Sequence, residues 1–232
     1  MKRPTRRQIL YGIGAVALAI LACLLTELRQ NTLGVTGGTQ ASAESQQRPN
    51  GGWIYGSRGA RFTIVEYADL ECPHCKDYFP QLKAWVDQHP DVNLQWHHLP
   101  LPMHEPATSY EARWTECAGI ERGNGVFWLA VELIYQRTRS NGAGTAGNPQ
   151  IPGLGDRQHY IDNCASSNPA VRQTVVSQAH KASQDGITAT PTLVIKDKHS
   201  GRTIKLQGAP DGDALLSAID WLAAGSVAGG DK

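Results

Sequence analysis

The chain has 232 residues, and 22 Lys and Arg against 21 Asp and Glu give a formal net charge of +1. That length accommodates one sizeable domain with extensions. The balance excludes the strongly basic signature of a nucleic-acid binder, so no nucleic-acid partner is expected.

The amino terminus differs from the rest. Lys2, Arg3, Arg6 and Arg7 precede an apolar run, Ile9 to Leu25, that no charge interrupts. A positive segment followed by an apolar one is an export signal or a membrane anchor. Its 17 residues reach the lower limit for crossing a bilayer. Residues 1–30 are read first as an uncleaved anchor, because no small-x-small cleavage site follows directly and Ala41-Ser42-Ala43 lies well downstream. Two other readings stand beside it. Thr5-Arg6-Arg7-Gln8-Ile9-Leu10 is similar to a twin-arginine export signal. Ile20-Leu21-Ala22-Cys23 has the look of a lipoprotein site, although apolar residues continue past Cys23, which suits a buried hydrophobe better. All three lead out of the cytoplasm, to the periplasm or cell envelope. Without residues 1–30, 17 basic groups face 20 acidic ones, an ordinary balance for an exported domain. Residues 31–52 are rich in Gly, Thr, Ser, Gln and Asn with no apolar period and read as a flexible tether.

A folded domain is expected over residues 53–224. Trp53-Ile54-Tyr55 reads as a short first strand, and Arg61-Phe62-Thr63-Ile64-Val65-Glu66-Tyr67 as a β-branched, aromatic strand entering a core. Next comes Glu71-Cys72-Pro73-His74-Cys75-Lys76. Beyond it Tyr78, Phe79, Leu82, Trp85 and Val86 recur with Cys75 at steps of three and four, so the two cysteines open an amphipathic helix. The first turn of a helix carries unpaired N–H groups and the positive end of the dipole, and Pro73 there gives up no hydrogen bond the helix needs. His74 can donate to the sulfur or place positive charge beside it. Such surroundings lower a thiol from about 8.5 into the range of roughly 3.5–7.5, which predicts Cys72 as a thiolate. Two cysteines so spaced can bring their sulfurs into bonding distance and cycle between dithiol and disulfide. A single C-x-x-C is also half of a zinc site, with His74, His97 and His98 as imaginable ligands. No second C-x-x-C occurs, and the pair opens a helix after a strand, so redox chemistry is the reading and neither metal nor cofactor is expected.

Val92 to Leu99 alternates with Val92, Leu94, Trp96 and His98 on one side, a strand that closes a β-α-β unit. His97 and His98 then read as strand-end residues. From about residue 104 to 185 the pattern turns helical, over Ala107–Ile120, Val126–Tyr135 and Val171–Ala182, with a Gly and Asn rich break from Ser140 to Gly155. This block is too long for a loop and reads as a helical insertion. Within it, Cys117 and Cys164 are the natural second disulfide pair if Cys72 pairs with Cys75; two buried free thiols are the alternative. Pro191 heads a β-rich run through Lys196, where its missing N–H does no harm. Lys198-His199-Ser200-Gly201 turns into a second strand, Arg202–Leu206, and Asp211 or Asp213 caps a final helix through Leu222. Residues 225–232 read as a disordered tail.

Val65 to Cys75, then Glu116-Cys117-Ala118 followed by Phe127-Trp128, then Thr190-Pro191-Thr192 together resemble the DsbA-like thiol-disulfide oxidoreductases of the thioredoxin superfamily. The likeness covers about residues 53–224, and its order is far more specific than C-x-x-C alone. It implies a thioredoxin-like α/β fold with a helical insertion between the β-α-β half and the cis-proline half. It implies Cys72 as the exposed nucleophilic cysteine and Cys75 as its buried partner. Pro191 would be a cis proline facing the site, with the Thr190 backbone pairing to an extended substrate. Glu66, six residues before Cys72, matches the buried acid that exchanges protons beneath the disulfide. The Cys-Pro-His-Cys sequence is that of the family's dithiol oxidases. A monomeric domain that oxidises reduced or unfolded exported proteins is therefore expected, with a membrane redox partner to reoxidise it. A reductase or isomerase of a dedicated envelope pathway, and a peptide-binding envelope module with a structural disulfide, are the alternatives.

Overall fold

The computed structural model describes residues 52–224; the readings made for the leader, nearly all of the tether and the tail lie outside the described residues. In chain order the strands are β1 (Ile54–Tyr55), β2 (Phe62–Ala68), β3 (Val92–His98), β4 (Thr192–Asp197) and β5 (Thr203–Gln207). The α-helices are α1 (Pro73–Asp87), α2 (Ala107–Arg122), α3 (Asn124–Arg137), α4 (Gln158–Ser167), α5 (Pro169–Gln184) and α6 (Gly212–Ala224).

The sheet runs β1-β3-β2-β4-β5, with β2 and β3 parallel and the other pairs antiparallel. A parallel neighbour requires a crossover, and α1 supplies it. All seven residues of β2 are buried, as its β-branched and aromatic composition demands of a central strand. Alternation then divides them: Phe62, Ile64 and Ala68 join the main core with Leu94, Trp96 and Leu193, while Val65 and Tyr67 join a smaller core with Leu99, Ala182 and Ile187. Glu66 shares the parity of Ile64 and Ala68 and so enters the main core, between Trp96 and Leu193 in the register. This is the mixed α/β, thioredoxin-like arrangement that the resemblance implies.

Helices α2 to α5 stand between the β-α-β half and the β4-β5 hairpin. Their aromatic residues extend the core: Trp53 stacks on Phe127 at 4.8 Å, and Phe79, Trp96, Trp128 and Tyr135 lie within 5.4–6.2 Å of one another where paired. Gly119 makes that stack possible, since a Cβ there would sit 2.6 Å from the Trp53 ring. The sequence pattern passed over α4, whose run Gln-His-Tyr-Ile-Asp-Asn-Cys-Ala-Ser-Ser buries only Gln158, Ile161 and Ala165. At the other end, Asp211 accepts the Ala214 N–H at 2.9 Å and caps α6, while Asp213 sits inside its first turn. Among the described residues no helix is long and apolar enough to cross a membrane.

Candidate active site

Cys72 is the N-cap of α1, with extended backbone angles (φ −77°, ψ 121°), and Pro73 occupies the first helical turn. An N-cap side chain faces the free N–H groups two and three residues on. In this helix those belong to His74 and Cys75, and their N–H dipoles favour the Cys72 anion, although neither makes a full capping hydrogen bond to the sulfur. The thiol of Cys72 is drawn from 9.0 down to about 5. The largest cause is the hydrogen bond from the Cys75 thiol; burial opposes it, and Thr190 and the two backbone N–H groups reinforce it. Cys75 behaves in the opposite way. Burial, its bond to the Cys72 sulfur and the nearby Glu66 hold its thiol well above the ordinary value. The two free cysteines among the described residues are thus electrostatically unlike, one stable as an anion and the other as a thiol.

Two details correct the sequence reading. Cys72 is only 4 % exposed, not an exposed residue, because the Thr190-Pro191 segment closes over it: Sγ lies 3.6 Å from the Thr190 carbonyl oxygen, across 118 positions of sequence. The His74 imidazole, expected to assist the sulfur, is exposed; what His74 gives Cys72 is its backbone N–H. A side chain at the second helical position projects outward, whereas its N–H points back along the axis to the cap.

The Thr190-Pro191 peptide is cis and leads into β4. Cys72, Cys75, Thr190 and Pro191 therefore meet at one place. Glu66 lies beneath them on β2, fully buried, and neither carboxyl oxygen has a hydrogen-bond partner. Burial pushes its carboxyl from 4.5 to about 8. Tyr135, also fully buried, stands beside Cys75 and Glu66, with its hydroxyl 3.3 Å from the Asp69 carbonyl. A low thiol, a high thiol and a proton-holding carboxyl under a cis proline are the groups that thiol-disulfide exchange uses.

His97 and His98 lie on β3, away from this cluster: His97 Nε2 is 2.9 Å from the Gln178 carbonyl, and His98 Nδ1 accepts from Trp96 Nε1 at 2.9 Å beside Glu116.

Sequence reasoning missed a polar hub just before the cysteines. Asp69 is 1 % exposed and accepts from Glu71 N, Leu101 N and Thr108 Oγ1, with His104 Nδ1 2.9 Å away. Glu71, fully buried, accepts from Thr138 Oγ1 and Gly144 N, and its carbonyl accepts from Asn141 N. The only local signal was two acids flanking a leucine directly before Cys72, where burial needs partners that the motif does not contain. A second cis proline, Pro106, also went unforeseen.

In the helical layer Cys117 and Cys164 form a disulfide across a separation of 47 residues, with Cα atoms 5.9 Å apart. A crosslink of that span restricts the unfolded chain by roughly 4 kcal/mol in the loop-entropy model. The double variant C117A/C164A is therefore expected to lower unfolding stability by about that amount in urea unfolding, with an m-value that rises as the unfolded chain, freed of its crosslink, exposes more surface.

Residues 49–220 match the family model described as Thioredoxin. The crystal structure of Pseudomonas aeruginosa DsbA2 is 50 % identical, over 74 % of this chain and 94 % of that one, with a TM-score of 0.71. Wolbachia pipientis alpha-DsbA1 shares the fold at 21 % identity and a TM-score of 0.55, over 76 % and 92 % of the two chains. Among curated relatives, Na(+)/H(+) antiporter NhaA 1 of Salinispora arenicola is 26 % identical over 179 residues, 77 % of this chain and 26 % of that protein. The chain thus spans about a quarter of the length of three of the antiporters it matches, and less of a fourth. The family match, the fold and the unlike cysteine pair agree: the chain belongs to the thioredoxin family, as a DsbA-like thiol-disulfide oxidoreductase.

Proposed function

We propose that the protein is a dithiol oxidase of the periplasm or cell envelope, which passes the Cys72-Cys75 disulfide to reduced or unfolded exported proteins. One observation carries this reading: the Cys72 thiol is lowered to about 5 while that of Cys75 is raised. Stabilising the thiolate stabilises the reduced enzyme, and a stabilised reduced form makes the disulfide a stronger oxidant.

In the oxidised protein a substrate thiolate attacks Cys72 Sγ. The Cys72–Cys75 bond breaks, its electron pair goes to Cys75, and a mixed disulfide joins substrate to Cys72. Cys75 is stable only as a thiol and takes a proton, which Glu66, poised at about 8, is placed to supply. A second substrate thiolate then attacks the substrate sulfur of the mixed disulfide and releases Cys72 as its stabilised thiolate. The substrate leaves with the disulfide and the enzyme keeps both electrons, so a membrane redox partner must reoxidise it. Thr190, beside the cis Pro191, offers backbone groups to an extended peptide. Residues 1–30 would hold the domain at the inner membrane, 31–52 would serve as tether, and the monomeric domain of residues 53–224 would do the chemistry.

The Cys75→Ser variant is expected to accumulate mixed disulfides through Cys72, seen as reducible, mass-shifted adducts on non-reducing gels. A peptide-binding module with a structural disulfide would trap none. Equilibration of wild-type protein with glutathione is expected to leave the pair largely reduced across buffers that keep glutathione mostly reduced. A strongly reducing equilibrium would assign the same residues to a reductase or isomerase.

A further inference from the structure

The carboxyl of Glu111 on α2 is a buried group that the exchange mechanism does not use. Glu111 is 3 % exposed, and neither of its oxygens meets an N–H or hydroxyl donor. What faces it is the carboxyl of Glu71, and behind that Asp69. Two buried carboxyl groups that face each other cannot readily both be ionised, and a proton held between them gives each carboxyl a partner. Glu71 spends its other acceptor capacity on one segment of chain, at Thr138 Oγ1 and at Gly144 N, 2.9 Å away. Its carbonyl holds Asn141 N at 2.8 Å, and from the far side of the cysteines Lys76 Nζ reaches the Thr138 carbonyl at 2.8 Å.

The segment so held is contorted. Ser140 and Asn141 have φ of 63° and 56°, and Gly142 packs so closely on the His104 backbone that a Cβ would lie 3.1 Å from it. Non-glycine residues keep such angles only where surrounding contacts over-determine them. The residues that anchor the loop, at 71 and 76, bracket the two cysteines at 72 and 75, and Arg139, Asn141 and Ala143 present outward beside them.

We propose that Glu71 and Glu111 share one proton and together form a latch that holds the Thr138–Gly147 loop as one wall of the cleft where Cys72 meets a peptide substrate. Glu71 and Glu111 are positioning residues: Glu71 touches the loop, Glu111 acts through Glu71, and neither touches the substrate. The step is a protonation with no change in oxidation state. Loss of the shared proton puts two anions in contact and weakens the hold on the loop. The groups that face the pair are Asp69 from the β2–α1 segment, His104 through Asp69, Tyr135 of α3, whose hydroxyl meets the Asp69 carbonyl, and Lys76 of α1 at the Thr138 carbonyl. All are constant in the comparison below. Glu111 releases its proton near 9, with burial the largest cause and Glu71 the next, so the latch is closed at neutral pH.

The wall's effect on substrates rests on Cys72-Cys75 being the reacting pair; the latch itself does not, and two readouts keep them apart. In the first, amide NMR of full-length reduced protein follows Gly144 and Asn141 from pH 6 to 10. Both signals are expected to shift together with one midpoint near 9. In Glu111→Gln, which keeps a donor towards Glu71 and cannot ionise, the shared step is expected to vanish while the neutral-pH positions stay. In the second, the rate of disulfide transfer to a reduced peptide is divided by that to glutathione. The ratio is expected to fall about tenfold above the midpoint in wild type, the size of losing one charge-assisted hydrogen bond, and to stay flat in Glu111→Gln. Amides that ignore the midpoint in wild type, or a step that persists in Glu111→Gln, would overturn the latch. An amide step with no change in the ratio would overturn the wall and leave the latch standing. The wild-type titration needs no variant to fold.

Discussion

Reduced protein is expected to be more stable than oxidised protein at pH 7, and the margin should grow with pH between about 5 and 9. The Cys72 thiol has a folded value near 5 against 9.0 unperturbed. Its folded value is depressed, so the stability it contributes is fully present above the unfolded value and is lost as pH falls through about 5. At pH 7 the two-unit gap amounts to about 3 kcal/mol, or roughly 60 mV towards a more oxidising disulfide. The oxidised protein has no such ionisation, so the difference between the two forms isolates this effect. Urea unfolding of both forms at pH 5, 7 and 9 measures it, and thiolate absorbance at 240 nm should show a midpoint near 5. Cys72→Ser removes both. A difference that is flat with pH, or an oxidised form that outlasts the reduced one at pH 7, would remove the basis for an oxidant.

Glu66→Gln is expected to make the protein more stable and less active. The folded carboxyl holds its proton up to about 8 while the unfolded one loses it near 4.5. Between those values the native state binds more protons, so wild-type stability declines as pH rises through this window and the penalty is complete above about 8. At pH 7 it is about 3 kcal/mol. Glutamine lacks the ionisation and should recover that amount at pH 7 and nothing at pH 4. The unpartnered polar atoms of the pocket are common to both side chains and cancel. Activity moves the other way. With no proton to give Cys75 as it leaves, formation of the mixed disulfide should slow by on the order of 10²-fold, the usual worth of a positioned acid. Stopped-flow oxidation of a dithiol peptide beside urea unfolding tests both. A variant that loses stability, or that keeps full rate, would show Glu66 to be a packing residue.

Much of the fold was legible because its signals are local. Phe62–Ala68 announces a central strand by composition, and the three-and-four spacing from Cys75 to Val86 announces the helix after it. The turn at Lys198–Gly201 lies between two short alternating runs and joins β4 to β5. Helix α4 was not legible. Its ten residues carry two apolar buried positions, too few to set a period, and it persists because Ile161 and Ala165 fill the core beside α2. The site divides the same way. A thiol at a helix start followed by proline is visible in four letters. The exposure of Cys72 was misjudged because the segment that covers it, Thr190-Pro191, comes from the far side of the insertion. The hub of Asp69, Glu71 and Glu111 was missed for a related reason: an isolated acid in a sequence looks solvated until the donors or the proton that accompany its burial are in view.

Residues close along the chain specified the helix start at Cys72, since backbone N–H groups at positions two and three beyond a cap are set by helix geometry alone. Folding decided how those groups are used. Burial of Cys75 and Glu66 beneath the pair, contact of Cys72 with Thr190, the disulfide from Cys117 to Cys164, and the meeting of Glu71 with Glu111 all join residues from distant segments. Desolvation depends on everything that surrounds a group, so the protons of this site are governed by neighbours that the chain brings together only when it is folded.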